Sequence, residues 1–271
     1  MNRYLETNRS LWNRWTPINA RSELYDVEGF KAGASSLMEI EVAELGDVSG
    51  KTLLHLQCHF GLDTFSWARR GATVTGVDFS DEAIALARAL RDELDLPATF
   101  IHTNLYALPD LLNAQFDIVY TSYGVLTWLP DLVRWAEIIA HFLRPGGTFY
   151  IVEFHPILSM LHDDTGMTFE CPYFSQGEPM LYESHGSYAG TEPGFSHPQY
   201  EWRHSLADII NALIRAGLQI EFFHEFPYSP FQVWDYLQPI GPDRYAWHGQ
   251  ADMLPHVFSI RASARSSDFG F

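Results

Sequence analysis

No stretch of the chain approaches the roughly 18 to 20 consecutive apolar residues that span a bilayer. The opening residues, Met-Asn-Arg-Tyr-Leu-Glu-Thr-Asn-Arg, lack the apolar core of a secretion signal. A cytoplasmic protein with no membrane partner is expected. Cysteine is scarce: Cys58 and Cys171 have no Cys-x-x-Cys spacing and make no disulfide framework, so both read as free thiols. Basic residues are few, 17 Lys and Arg against 34 Asp and Glu, and the formal charge of −17 repels a phosphate backbone. DNA and RNA are therefore not expected as partners. Histidine is plentiful at 12, but the residues are scattered and show no His-Glu-x-x-His or comparable ligand spacing, so no metal site is expected.

What the chain does contain is a strand–turn–helix–strand unit over residues 52–80. Thr52 to Gln57 is an apolar strand, Gly61 a tight turn, Leu62 to Arg70 a helix ended by Gly71, and Thr73 to Asp78 a second strand. An acidic residue closing the second strand, about twenty positions past a turn that opens a helix, is the usual way an α/β fold holds a ribose. Asp78 therefore points to a nucleoside-containing cofactor.

The alternation continues. Asp81 to Asp92 reads as a helix with Ser80 as N-cap, Thr99 to Thr103 as strand three and Phe116 to Ser122 as strand four. Leu132 to Leu143 is a helix ended by Arg144-Pro145-Gly146-Gly147, and Thr148 to Phe154 is strand five. Near-continuous apolar strands separated by helical patterns require a buried parallel sheet. Ser205 to Ala216 is a further helix, Leu218 to Phe226 strand six and His256 to Ala262 the last strand; the tail from Arg265 to Phe271 reads as frayed. The fold class is α/β, a doubly wound, mostly parallel seven-stranded sheet.

Two segments fall outside the alternation. Residues 1–50 read as a helical arm: an aromatic helix with Tyr4, Leu11, Trp12 and Trp15 that stops before Pro17, an irregular stretch from Tyr25 to Lys31, and a helix from Ser35 to Leu45 closed by Gly46. The arm's aromatics either pack it onto the core or close it over a ligand. Residues 156–203 have no helical period and many aromatics, too long for an ordinary connection. They are expected to form a cap of short antiparallel strands over the carboxyl ends of the sheet. With no internal repeat or linker, residues 1–271 read as a single domain with insertions.

Four motifs, in order, carry a family resemblance: Leu53 to Gly61, Gly76-Val77-Asp78-Phe79-Ser80, Phe116-Asp117-Ile118-Val119, and Leu143-Arg144-Pro145-Gly146-Gly147. Together the chain resembles a class I S-adenosylmethionine-dependent methyltransferase over residues 50–155 and 205–262, with the Rossmann-like fold of that class. The stretch His55-Leu-Gln-Cys-His-Phe-Gly61 is similar to a bacterial subgroup. The resemblance implies S-adenosyl-L-methionine as cofactor. It also implies that Asp78 holds the ribose hydroxyls, that Phe79, Asn104 and the Leu105 backbone meet the adenine, and that Thr121 and Ser122 border the methionine portion. The first loop departs from the family. The acidic position is His55, and the first two of three glycine positions are Gln57 and His59, with Gly61 alone retained. Glycine serves there where backbone must approach a ligand or take positive φ. Gln57 and His59 either narrow the space or replace backbone contacts with side-chain ones. For His55 and His59 the alternatives are a ring pointing into the sheet and a helix cap.

Methyl transfer to N or O needs alignment above all, with a general base only for a protonated nucleophile. Residues at the carboxyl ends of strands four and five suit that role: Tyr123, Glu153 and His155, joined by His204 from the insertion. The aromatic cap favours an enclosed small-molecule methyl acceptor over a macromolecule. Two other readings stand beside this one. A nicotinamide dehydrogenase would use Asp78 equally well, and a binding protein that has lost catalysis would explain the altered loop.

Overall fold

A computed structural model describes residues 3–161, 164–174 and 177–265. The core strands are β1 (Thr52–Leu56), β2 (Thr73–Asp78), β3 (Ala98–His102), β4 (Phe116–Ser122) and β5 (Leu143–Phe154). In the insertion lie β6 (Met180–Ser184), the two-residue pair β7 (Gly186–Ser187) and β8 (Gly190–Thr191), and β9 (His197–Glu201). The chain ends with β10 (Leu218–Phe226), a hairpin of β11 (Leu237–Gly241) and β12 (Arg244–Trp247), and β13 (Val257–Ala264). The helices are α1 (Arg3–Ala20), α2 (Val27–Lys31), α3 (Glu39–Leu45), α4 (Leu62–Arg69), α5 (Asp81–Leu94), α6 (Leu132–Phe142) and α7 (Leu206–Arg215).

One seven-stranded sheet runs β10-β13-β5-β4-β1-β2-β3, with β13 antiparallel to both its neighbours and the remaining pairs parallel. This is the doubly wound, mostly parallel sheet that the sequence predicts. Alternate residues of each strand feed opposite faces. Leu54, Leu56, Val119 and Phe149 pack with Trp135 and Ile139 of α6 and Leu213 of α7. Leu53, Tyr120, Tyr150 and Val152 pack with Ile40 of α3 and Trp67 of α4. Burial on both faces is why these strands read as continuous apolar runs. Each such side chain, fully buried, contributes about 1.5–3 kcal/mol.

Several boundaries differ from expectation. Helix α1 does not stop at Pro17 but runs through it to Ala20. Proline removes one N–H and crowds the preceding turn, and the Thr16 hydroxyl donates to the Trp12 carbonyl at 2.8 Å in that turn. Residues 27–31, expected to be irregular, form α2 because the Asp26 side chain accepts from the Gly29 N–H and caps it. Helix α3 starts at Glu39 rather than Ser35; a buried Glu41 accepts from the Met38 N–H at 2.6 Å and sets its start. Strand β5 begins at Leu143, not Thr148, since Leu143 already pairs with Phe116 across a register shift. The expectation of a frayed tail falls mostly on residues 266–271, outside the described residues.

The arm and the insertion meet. Asn8 treats Tyr200 as a strand neighbour, donating to its carbonyl at 2.7 Å and accepting its N–H at 2.9 Å. Trp15 donates from Nε1 to the Gly186 carbonyl at 2.6 Å. At its other side α1 is tied to the start of α5, through Arg9 and Asn13 to Asp81 at 2.7 Å each. Among the described residues no helix is long and apolar enough to cross a membrane.

Candidate active site

A cavity of about 560 Å³ lies at the carboxyl ends of β1, β2, β4 and β5, walled by the arm and the insertion. Ligands of open α/β sheets bind at this end, where strand order reverses, here between β1 and β4. The loop leaving β1 forms one wall. Gln57, His59 and Gly61 all adopt positive φ, at 57°, 51° and 85°. At Gly61 only glycine fits, because an added Cβ would stand 2.6 Å from the Phe100 ring. At the other two positions side chains tolerate a left-handed conformation that costs about 1–2 kcal/mol each, offset by what those side chains do. Gln57 Nε2 donates to the Val125 carbonyl at 3.0 Å, tying the β1 loop to the β4 loop. The His59 ring packs edge-on against Trp12 and Tyr25 of the arm and beside Phe60. Burial lowers its pKa to about 3, so the ring is neutral, and both ring nitrogens are buried without partners. His59 therefore does not cap a helix with its side chain.

His55 points inward. Its Nδ1 lies 2.8 Å from the Thr64 hydroxyl, its ring meets the edge of Tyr120, and burial lowers its pKa to about 3. Asp78 closes β2 with one N–H on each carboxylate oxygen: Ser80 on Oδ1 and His59 on Oδ2, both at 2.8 Å. Burial pushes its pKa up to about 6, against the pull of those N–H groups. Each oxygen keeps acceptor capacity toward the cavity. Phe79 and Leu105 line the same wall. Asn104 lines it too, while its Oδ1 accepts the Tyr106 N–H at 3.0 Å and caps a short 3-10 turn. Ser122 reaches the cavity, but Thr121 does not: it is fully buried, with its hydroxyl donating to the Leu56 carbonyl at 3.2 Å inside the sheet.

The candidate general bases separate clearly. Glu153 accepts N–H groups from Val125 at 2.8 Å, Leu126 at 3.1 Å and Phe154 at 2.7 Å, and from Gly124. Its carboxylate is thereby committed to shaping the β4 loop. Tyr123, with φ of 28°, donates its hydroxyl to Glu41 at 2.9 Å, and burial and that carboxylate hold its pKa far above the usual phenol range. His155 accepts the Ile157 N–H on Nδ1 at 3.2 Å, so its neutral ring carries the proton on Nε2, 3.1 Å from Glu225. His204 has the opposite arrangement. Nε2 donates to the Leu129 carbonyl at 2.8 Å, and burial keeps the ring neutral, leaving Nδ1 with an open lone pair. All four residues line the cavity.

The structure adds residues that sequence reasoning missed. Asp63, in the first turn of α4, accepts the hydroxyls of Ser36 at 2.6 Å and Ser122 at 3.1 Å on the cavity wall. An acidic residue in a first helical turn reads as an ordinary partner of the helix dipole, so its position gave no separate signal. Tyr25 and Tyr188 join arm to insertion by a hydroxyl–hydroxyl bond and line the cavity together. Arg203 donates to the Tyr182 hydroxyl at 2.7 Å in the insertion wall. These partners lie far apart in the chain, and periodicity does not report them.

Residues 54–151 match the family model described as a methyltransferase domain. A ubiquinone biosynthesis O-methyltransferase of Alkalilimnicola ehrlichii is 29% identical over 133 residues, covering 49% of this chain and 51% of that protein. The chain thus spans about half the length of the curated relatives it matches. Among solved structures, an S-adenosylmethionine-dependent methyltransferase from Clostridium acetobutylicum aligns with a TM-score of 0.57 at 14% identity, covering 96% of this chain and 99% of that one. One from Mesorhizobium loti aligns with a TM-score of 0.54 at 20% identity, over 86% and 99%. The fold is that of the Rossmann-like methyltransferases.

Proposed function

We propose that this chain is an S-adenosyl-L-methionine-dependent methyltransferase acting on a small molecule at O or N. The observation that carries the reading is Asp78. A buried carboxylate closes β2, with one backbone N–H on each oxygen and acceptor capacity left over, beside a cavity at the strand reversal of a methyltransferase fold. Within the class, the His55-to-Gly61 loop marks the subgroup. We read residues 1–271 as one domain in which the arm, 1–50, and the insertion, 156–203, cover the cavity.

The residues present fit the cofactor. Asp78 would accept both ribose hydroxyls in charge-assisted bonds. Phe79, Asn104 and Leu105 would flank the adenine, and Gly61, His59, Gln57 and Ser122 the remainder. Bound, the cofactor supplies an already activated methyl group, so the protein's work is to align the acceptor and exclude water. Trp12, Tyr25 and Tyr188 of the cover serve that exclusion. The relatives named for O-methylation favour an oxygen acceptor. A hydroxyl acceptor must lose its proton, and we assign that role to His204, whose Nε2 is engaged with Leu129 and whose Nδ1 lone pair is open. Glu153, His155 and Tyr123 then position the loops around the site.

Calorimetric titration with S-adenosylhomocysteine and, separately, with NAD tests the reading. Binding of the first and not of NAD is expected. Heat with NAD alone would move the chain to the dehydrogenases.

A further inference from the structure

We infer that Asp63 and the side-chain carbonyl of Gln57 together form the subsite for the α-ammonium of the cofactor's methionine portion. This rests on the cofactor reading above. Gln57 and Asp63 sit on the same loop and helix start, and both reach across to the loop leaving β4: Gln57 to Val125 and Asp63 to Ser122. They therefore flank one gap, between β1 and β4, on the far side of β1 from Asp78 and the ribose.

Asp63 meets the cavity as a carboxylate without a cation. Its described partners are the Ser36 and Ser122 hydroxyls, and no ion pair to a Lys, Arg or His is formed by it among the described residues. Two hydroxyls hold the carboxylate in place but leave its charge unbalanced, and a carboxylate offers about four lone-pair positions. Burial without a countercharge raises the Asp63 carboxyl above the usual carboxylate range, though the two hydroxyls pull it down. Gln57 supplies the complementary observation. Its Nε2 is pinned by Val125, which fixes the amide orientation, and its Oε1 is buried with no donor. A buried acceptor left empty is costly. An ammonium carries three N–H donors and one positive charge, and so satisfies the amide oxygen and the carboxylate at once. His55, neutral and engaged with Thr64, offers no charge to share that role.

The test is calorimetric binding of three ligands to the full chain near neutral pH: S-adenosylhomocysteine, its analogue with the ammonium replaced by hydrogen, and 5′-methylthioadenosine, which lacks the amino-acid portion. Wild type is expected to bind the deaminated analogue about tenfold or more weakly than S-adenosylhomocysteine, the scale of a hydrogen bond to a charged group. Asp63→Asn, which keeps an oxygen for one serine hydroxyl, is expected to weaken S-adenosylhomocysteine to a similar degree and leave 5′-methylthioadenosine unchanged. Equal wild-type affinity for the deaminated analogue overturns the assignment, and needs no variant to fold. So does an equal loss of both adenosine ligands in Asp63→Asn. A wild-type chain that binds 5′-methylthioadenosine and S-adenosylhomocysteine not at all refutes the cofactor reading itself, a distinct result.

Discussion

The backbone N–H of His59 donates to Oδ2 of Asp78 at 2.8 Å. The loop that presents this N–H carries positive φ at Gln57 and His59, 57° and 51°, a geometry that glycine adopts freely and other residues adopt at some expense. The loop thus has a backbone conformation that glycine favours, while Gln57 and His59 present side chains to the cavity wall.

Asp78→Ala is expected to weaken S-adenosylhomocysteine binding by about 1.5–3 kcal/mol, the usual scale for hydrogen bonds to a charged group. Titration calorimetry at neutral pH reads it directly. An unchanged dissociation constant would remove Asp78 from the ribose site.

Cofactor affinity should depend on pH through the same carboxylate. In the free protein its pKa is about 6. Ribose hydroxyls donate, so they bind the ionised form; affinity should be full above that value and fall as pH drops through 6. Dissociation constants measured across this range test it, and Asp78→Asn should flatten the dependence.

Glu41 should make stability fall as pH rises. Burial, with Asp63 second, raises its pKa to about 8 from 4.5. The native state then holds a proton that the unfolded chain has released, so stability present at low pH is lost between those values. Glu41→Gln retains an acceptor for the Met38 N–H and can donate to Tyr123. It should melt at a higher temperature than wild type at pH near 8 and lose that advantage near pH about 5.

Gly61→Ala should destabilise the fold by about 2–5 kcal/mol. The left-handed φ of 85° costs a non-glycine residue about 1–2 kcal/mol, and crowding of a packed core adds about 1–3 kcal/mol, since the new Cβ would stand 2.6 Å from Phe100. Denaturant unfolding gives the difference.

With an oxygen acceptor in hand, His204→Ala should lower kcat by about 10²–10⁴, the range of general-base catalysis. His155→Asn should leave the shape of the pH–rate profile intact, because Nδ1 of His155 already accepts from Ile157. A flattened profile in the His155 variant, with His204→Ala unaffected, would reverse the two roles.

Much of the architecture was legible from residue periodicity alone. Strands buried on both faces must be apolar throughout, and the helices between them must each show one apolar face, so β2, β4 and β10 fall where the sequence places them. Asp78 was legible for a similar reason, being a lone acid at the end of an apolar run. Helix α1 through Pro17 and the capped α2 were not, because contacts of Ile18 and Asn19 with the insertion and a cap from Asp26 overrode the propensity of those segments. The site divided along the same line. Sequence located Glu153, His155 and His204 near the strand ends, but whether a lone pair is open or occupied depends on backbone donors and acceptors that only the fold delivers: Val125 to Glu153, Ile157 to His155, Leu129 to His204. Thr121 and Ser122 are adjacent in the chain, yet alternation along a strand sends one into the sheet and the other to Asp63. Residue type and period are local properties and determined the scaffold. The state of each polar atom is set by partners distant in sequence, and tertiary structure alone decided it.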